Sequence, residues 1–385
     1  NAYARQALDK GAVLAVIDEA AYHVDNRTLL VSDVLKTLQD LALYHRNFYG
    51  TKVLALTGSN GKTTTKELIH SVLKSKYRTI ATRGNLNNHI GVPLTLLTIT
   101  SETEIAIIEM GANHQKEIAF LCTLAEPDFG YITNFGKAHL EGFGGVQGVI
   151  KGKSELYDHL IAREKFIFFN ADDPIKLEKL ERNNRKEVNS KDKPNNKIIR
   201  FLRSEPFVEM ELEGLPIKSH LIGAYNFPNC CAALLIGGYF EVPVQDMKQA
   251  IESYIPMDNR SQLIQREGLT IVLDAYNANP SSMKVALENF KSIKGKYKRV
   301  FLGDMVELGE DSEIEHQQIA ELADKMGYRE VFLIGEHFFK TKTAAKKFKS
   351  FEELKDYLKE HPVKEGTLFI KASRGMALER ILDLL

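Results

Sequence analysis

From Lys52 onward the chain alternates short apolar runs of strand length with longer stretches in which apolar residues recur every three or four positions. Val53–Thr57 leads to a helix predicted from Lys62, Glu104–Glu109 to one from His114, Phe129–Asn134 to one from Val146, and Phe166–Asn170 ends the series. Such alternation predicts parallel βαβ units with right-handed crossovers. A second series runs through Thr270–Asp274, Val300–Leu302, Val331–Ile334 and Leu368–Lys371, each followed by a helical stretch. Between the two, Ile198–Leu202 and Val208–Ile217 read as antiparallel strands, with a helix from Asn226. Ahead of Lys52, a helical pattern over Tyr3–Lys10, apolar runs at 11–17 and 28–32, and leucines at helical spacing over Val34–Arg46 suggest the later part of a small α/β domain.

The division expected from these patterns is 1–48, 49–256 and 257–385, with a boundary near Pro256. Residues 182–197 are polar and turn-rich, which predicts an exposed loop rather than a nucleic-acid patch. Lys340–Lys349 carries Ala and Phe at helical spacing among its lysines and predicts a solvated amphipathic helix, with a polyanion site as the alternative. No internal repeat of solenoid period is present. The chain starts at Asn1 rather than Met and enters its first helical pattern without a cap, so residues before it are expected to be missing.

Composition narrows the classes. At 44% hydrophobic and 26% charged residues over 385 positions, a disordered, collagen-like or coiled-coil chain is excluded. Fifty-one basic residues balance fifty-one acidic ones, so an anionic ligand must be held locally and no nucleic-acid partner is expected. Cys122, Cys230 and Cys231 lack metal-ligand spacing and read as small buried thiols of a reducing compartment. With no apolar run near the ~20 residues of a membrane span and no leader pattern, the expectation is a cytoplasmic protein without membrane insertion.

Thr57-Gly58-Ser59-Asn60-Gly61-Lys62-Thr63-Thr64 follows an apolar strand directly and opens a helix, the context of a phosphate-binding loop. Its glycines let backbone N–H groups close on phosphate oxygens, the helix N-terminus adds positive potential, Lys62 reaches the β/γ-phosphates and Thr63 can ligate Mg²⁺. Leu56 stands where the strict eight-residue pattern has glycine, so this is a shorter variant; a plain glycine-rich turn is the bland alternative. Glu109 ends a strand and His139 follows the next one, which puts both at the carboxyl edge where open α/β sheets bind ligands. A carboxylate and a neutral imidazole there can hold a divalent metal beyond that carried by Thr63. Taken alone His139 reads as structural; beside a nucleotide loop it reads as functional.

Thr57–Thr64, then Asn85-Leu86-Asn87-Asn88 with Gly91-Val92-Pro93-Leu94-Thr95, then Glu109-Met110-Gly111-Ala112-Asn113 and Gly136-Lys137-Ala138-His139-Leu140-Glu141, resemble the Mur ligase family, the ATP-dependent amide-bond ligases of peptidoglycan precursor synthesis. Three C-terminal motifs, Asp274-Ala275-Tyr276-Asn277-Ala278-Asn279-Pro280, Gly303-Asp304-Met305-Val306-Glu307-Leu308-Gly309 and Lys371-Ala372-Ser373-Arg374-Gly375, resemble the branch that adds D-alanyl-D-alanine. Sister enzymes and folylpolyglutamate synthase usually carry a histidine-containing stretch where this chain has Tyr276–Asn279.

The resemblance covers the chain from about residue 50 and implies three α/β domains. A partial N-terminal domain would bind the UDP substrate, a central P-loop parallel-sheet domain ATP, and a C-terminal Rossmann-like domain the incoming dipeptide. It implies a monomer that joins UDP-N-acetylmuramoyl-tripeptide to D-alanyl-D-alanine through an acyl phosphate. Gly58, Asn60, Gly61, Lys62, Thr63 and Thr64 would serve the nucleotide, while Glu109 and His139 would bind a second Mg²⁺. Lys153, in Lys151-Gly152-Lys153-Ser154-Glu155, would be a carbamylated lysine ligating metal, with Lys151 near enough to leave the register open; sequence alone makes Lys153 a solvent-facing helix lysine. Asn226 and Asn229 fall on adenine-side asparagines, or cap a helix, and Tyr225 stands where histidine is common. Arg260 would contact ATP phosphate and Asp274 face the ribose. Asn87, Asn88, Tyr276, Asn277 and Asn279 would line the substrates, and Ser373 and Arg374 would orient the dipeptide, unless Arg374 only begins its own helix. His316 reads as structural. Two rivals stay open, a ligase adding a single amino acid and a non-ligase P-loop protein; the second leaves Glu109, His139, Asp274 and Arg374 without purpose.

Overall fold

The computed structural model describes residues 1–170, 173–181, 199–257 and 259–385, and the expected polar loop at 182–197 lies outside them. The central sheet holds five parallel strands in the spatial order Thr79–Ala81, Ile105–Glu109, Lys52–Thr57, Phe129–Ile132 and Phe166–Phe168. Successive side chains of a strand point to opposite faces, and here both faces are covered. Leu54, Leu56, Ile105 and Ile107 pack with Leu68, Ile69 and Val72 of the helix Lys62–Leu73 and with Cys230 and Ala233 of the helix Phe227–Tyr239. Val53, Ala55, Ala106 and Ile108 pack with Ile118 and Leu121 of the helix Glu117–Ala125 and with Val149 and Leu156 of the helix Val146–Ala162. That double cover is why these strands read as continuous apolar runs. The helix expected from His114 starts at Glu117, because the Glu117 carboxylate accepts the Asn113 and His114 N–H groups at 2.6 and 3.0 Å and holds residues 113–116 as a turn.

A three-stranded antiparallel sheet follows, Ile199–Ser204, Phe207–Leu212 and Leu215–Ile222. The run Val208–Ile217, expected as one strand, is two: Glu213 and Gly214, both at positive φ, form the tight turn of a hairpin.

The second large sheet has six strands in the order Gln262–Arg266, Leu269–Asp274, Gly366–Lys371, Arg299–Gly303, Glu330–Ile334 and Lys346–Phe348, the first antiparallel and the rest parallel. The amphipathic helix expected over Lys340–Lys349 is absent. A one-turn helix, Glu336–Phe339, leads instead into the edge strand Lys346–Phe348. Phe348 turns into the core beside Phe332, and Lys346 pairs with Glu330 at 2.7 Å. Lysines on an edge strand discourage pairing with another chain, so the charge run guards a sheet margin.

At the front, the helix Ala4–Asp9 and the parallel strands Ala15–Ile17 and Thr28–Leu30 precede the helix Val34–Tyr49. Asp33 caps that helix by accepting the Lys36 N–H at 2.7 Å. Its Arg46 guanidinium donates to the Ala125 and Glu126 carbonyls and to Asp128, tying the front of the chain to the central sheet. Among the described residues no helix is long and apolar enough to cross a membrane.

Candidate active site

The strand Lys52–Thr57 delivers the chain into the loop 58–61, and two glycines there have no substitute. Gly58 (φ 143°) and Gly61 (φ 77°) both sit at positive φ; a Cβ on Gly58 would lie 1.9 Å from Thr133 Oγ1, and one on Gly61 2.8 Å from Asn229 Oδ1. The end of the neighbouring strand grips the loop from the side. Thr133 Oγ1 and Asn134 Nδ2 both donate to the Asn60 carbonyl, at 2.7 and 3.0 Å, and Asn134 Oδ1 accepts the Asn60 N–H. Lys62 Nζ bends back over the loop to the Gly58 and Ser59 carbonyls, at 2.8 and 3.3 Å. Desolvation lowers this amine's pKa, Glu109 opposes that, and the Arg260 charge adds to it.

Glu109 is 1% exposed. Its Oε1 accepts from Asn87 Nδ2 at 2.8 Å and from Thr63 Oγ1 at 3.3 Å, while Oε2 has no hydrogen-bond partner. An orphaned buried carboxylate oxygen beside a threonine hydroxyl and a phosphate loop fits a hard divalent cation, because Mg²⁺ keeps waters and phosphate oxygens and needs only one or two protein oxygens. Among the described residues no group of three or more His, Cys, Asp and Glu side chains gathers as a metal cluster. His139 shares the crevice with Glu109 but turns to the second sheet's side, where Nδ1 pairs with the Glu307 carboxylate. That hydrogen bond is the largest influence lowering the Glu307 pKa.

Lys153 is fully buried, not solvent-facing, because the helix Val146–Ala162 presents this side to the core. Its Nζ donates to the Ala112 carbonyl at 2.9 Å and stands 4.9 Å from the Phe143 ring centre; Lys151 is the exposed one of the pair. Burial first, and Lys62 second, push the Lys153 amine well below its ordinary pKa. Ala112 lines the crevice whereas Lys153 lies behind it.

On the other flank a relay of amides fixes Asn226 and Asn229. Thr65 Oγ1 donates to Asn229 Oδ1, Asn229 Nδ2 to Asn226 Oδ1, and Asn226 Nδ2 to the Ile222 carbonyl, at 3.1, 2.8 and 2.8 Å. Neither side chain caps the helix Phe227–Tyr239. Asp274, at the end of its strand, pairs with Lys371 at 2.5 Å and accepts the Ser261 N–H at 3.2 Å. The Arg260 guanidinium lies 3.5 Å above the Tyr276 ring with its Nε buried and unpaired. Asn277 Oδ1 accepts the Ala278 N–H. Asn279 caps the helix Pro280–Ser292 through a capping box with Ser282, and its Nδ2 donates to Asn60 Oδ1 at 2.7 Å, joining the second sheet to the phosphate loop.

These groups surround one crevice of about 1260 Å³. Asn60, Gly61, Lys62, Thr63, Thr64, Asn87, Asn88, Glu109, His139, Asn226, Asn229, Arg260, Asp274, Tyr276 and Asn277 line it. Gly58, Lys153, Asn279, Ser373 and Arg374 do not. Ser373 is buried, its Oγ accepting the Val306 N–H, and Arg374 is exposed, 5.7 Å from the Tyr276 ring centre. Sequence reasoning passed over Lys66, Lys371 and Glu307, although Glu307 and Lys371 stand inside quoted motifs.

Residues 56–237 match the family described as Mur ligase middle domain, and residues 259–380 that described as Mur ligase, glutamate ligase domain. The chain belongs to the Mur ligase family. One Mur ligase relative, the UDP-N-acetylmuramoyl-tripeptide–D-alanyl-D-alanine ligase of Bacillus subtilis, is 34% identical over 99% of this chain and 86% of its own length. Among solved Mur ligases, MurF from Acinetobacter baumannii superposes with a TM-score of 0.85 at 28% identity, covering all of this chain and 87% of that one. MurF from Thermotoga maritima in complex with ADP superposes with a TM-score of 0.81 at 27% identity over all of this chain and 90% of that one.

Proposed function

We propose that the chain is an ATP-dependent ligase joining D-alanyl-D-alanine to UDP-N-acetylmuramoyl-tripeptide. The observation that carries this reading is a match to ligases of that name along nearly the whole chain, together with a crevice in which the phosphate loop and the Asp274–Asn279 loop face each other. The division 1–48, 49–256 and 257–385 belongs to the same reading, as does a monomer working in the cytoplasm.

The tripeptide carboxylate attacks the γ-phosphorus, breaking the bond to ADP and forming an acyl phosphate. The dipeptide amine then adds to the acyl carbon, loses a proton and expels phosphate as the amide forms. Lys62 and the N–H groups of the loop hold the phosphates, and Arg260, 3.5 Å above the Tyr276 ring and lining the same crevice, adds its positive charge. Thr63 and Glu109 would hold Mg²⁺, with His139 on the same crevice, and the cation would neutralise charge on the transferred phosphoryl group. Asn87 and Asn88 hold the acceptor side. Tyr276 and Asn277, which line the crevice, hold the dipeptide, whereas Asn279 is engaged with Asn60, Ser373 with the Val306 N–H, and Arg374 stands exposed outside the lining. Closure of the second sheet over the loop keeps water from the acyl phosphate. A depressed pKa favours the neutral amine that carbamylation of Lys153 requires; this modification is part of the proposal.

Phosphate release is the test, with ATP, Mg²⁺, UDP-N-acetylmuramoyl-tripeptide and D-alanyl-D-alanine each omitted in turn and the product weighed. Release requiring all four, with the dipeptide's mass added, supports the reading. Release indifferent to the dipeptide overturns it in favour of a ligase for a single amino acid or a nucleotidase.

A further inference from the structure

Lys66 lies one turn beyond Lys62 on the helix Lys62–Leu73, is 0% exposed, and has no part in the reaction above. Removing an ammonium from water costs several kcal/mol unless its donors are satisfied, so its contacts define its role. It donates to the Thr82 carbonyl at 2.5 Å and the Gly84 carbonyl at 3.3 Å, and its charge pairs with Glu67 Oε1 at 2.9 Å. Glu109 Oε2 stands 3.9 Å from the same Nζ, beyond hydrogen-bond reach but close for a charge pair. The carbonyls that Lys66 holds belong to the segment entering Asn85–Asn88, and that segment engages Glu109 twice more. Thr82 Oγ1 accepts the Glu109 N–H at 2.9 Å, and Asn87 Nδ2 donates to Oε1. The Asn87 carbonyl in turn accepts the Gly111 N–H at 2.8 Å.

We infer that Lys66 is a positioning residue of the ligase site: it pins residues 82–88 against Glu109 and balances that carboxylate without hydrogen-bonding Oε2, leaving this oxygen for a cation carried by the nucleotide. A lysine one bond nearer would occupy Oε2 itself; an apolar residue would leave the segment and the carboxylate unanchored. The inference rests on the ligase reading for its purpose, but its test does not need the acceptor.

Binding of a non-hydrolysable ATP analogue is measured by calorimetry with and without Mg²⁺ in the full chain and in Lys66→Met, which keeps an unbranched chain one atom shorter and removes the charge. Without Mg²⁺ the variant binds within twofold of the parent, because the loop 58–62 is untouched. The tightening that Mg²⁺ gives the parent falls at least fivefold in the variant. In a double-mutant cycle with Asn87→Ala, the losses are non-additive. Equal Mg²⁺ tightening in parent and variant, no tightening in the parent, or a parallel loss of Mg²⁺-free binding each overturns the inference. Should Lys66→Met fail to fold, Lys66→Gln, which keeps donors without charge, gives the same comparison. A parent that releases no phosphate with complete substrates sinks the ligase reading, and the calorimetry still decides Lys66.

Discussion

Replacing Gly61 by alanine strikes the phosphate loop at a place where the cost can be worked from geometry. The residue sits at φ 77°, where a side chain costs about 1–2 kcal/mol. The added Cβ would meet Asn229 Oδ1 at 2.8 Å, so the amide must swing away and give up its bonds to Thr65 and Asn226. Losing a buried hydrogen bond of this kind costs about 1 kcal/mol. With two such bonds lost, the sum is about 3–4 kcal/mol: if the loop holds its shape it appears as lost stability, and if the loop relaxes it appears as weaker nucleotide binding, roughly 160- to 850-fold. Urea unfolding and calorimetric ADP binding, run on the same preparation, recover it between them. Stability within about 0.5 kcal/mol and ADP affinity within about twofold of the parent would refute both the strain and the Asn229 clash.

Lys371→Met leaves Asp274 without its partner in a site where the lysine is 2% exposed, so urea unfolding reports a loss of about 3 kcal/mol. Asn279→Ala removes a helix cap and the bridge to Asn60 together; it lowers stability by about 1 kcal/mol and raises the KM for ATP in the phosphate-release assay. The His159 imidazole is pushed down from 6.5 to about 4 by burial first and Arg163 second. Below pH 6.5 the unfolded chain takes up a proton that the folded chain refuses until about pH 4, so stability falls as pH drops through that window, by at most about 3 kcal/mol. In His159→Leu the pH slope of the unfolding free energy over the same range is correspondingly flatter.

The phosphate loop and Glu109 were legible because each is announced locally, one by a strand, two glycines and a helix start, the other by its place at the end of an apolar run. Lys371 and Glu307 were not, because their partners stand 97 and 168 positions away; Lys66 adjoins its ion-pair partner Glu67, but the carbonyls it anchors lie 16 and 18 positions on and nothing local marks them. The burial of Lys153 escaped for a related reason: exposed Lys151 and buried Lys153 are two positions apart on one helix, and only tertiary packing separates them. Lys340–Lys349 misled because lysines spaced by Ala and Phe suit a solvated helix and a guarded sheet edge alike; the anchor is Phe348 beside Phe332, a contact between strands. The two alternating series were legible as parallel sheets since doubly covered strands are apolar throughout, whereas the Glu213-Gly214 turn hid inside a run of alternating residues.

The hydrogen bond from Asn279 to Asn60 spans 219 residues. Domains form as units, earlier ones first, while a chain is still being synthesised. The central sheet can therefore assemble around its phosphate loop long before residue 279 has left the ribosome. The loop acquires its last side-chain partner only when the second sheet has been made and docked, so a nascent or prematurely terminated chain carries the nucleotide-binding strand and helix without the bridge that finishes them. Order of synthesis thus withholds the finished loop until the part of the molecule that encloses it exists.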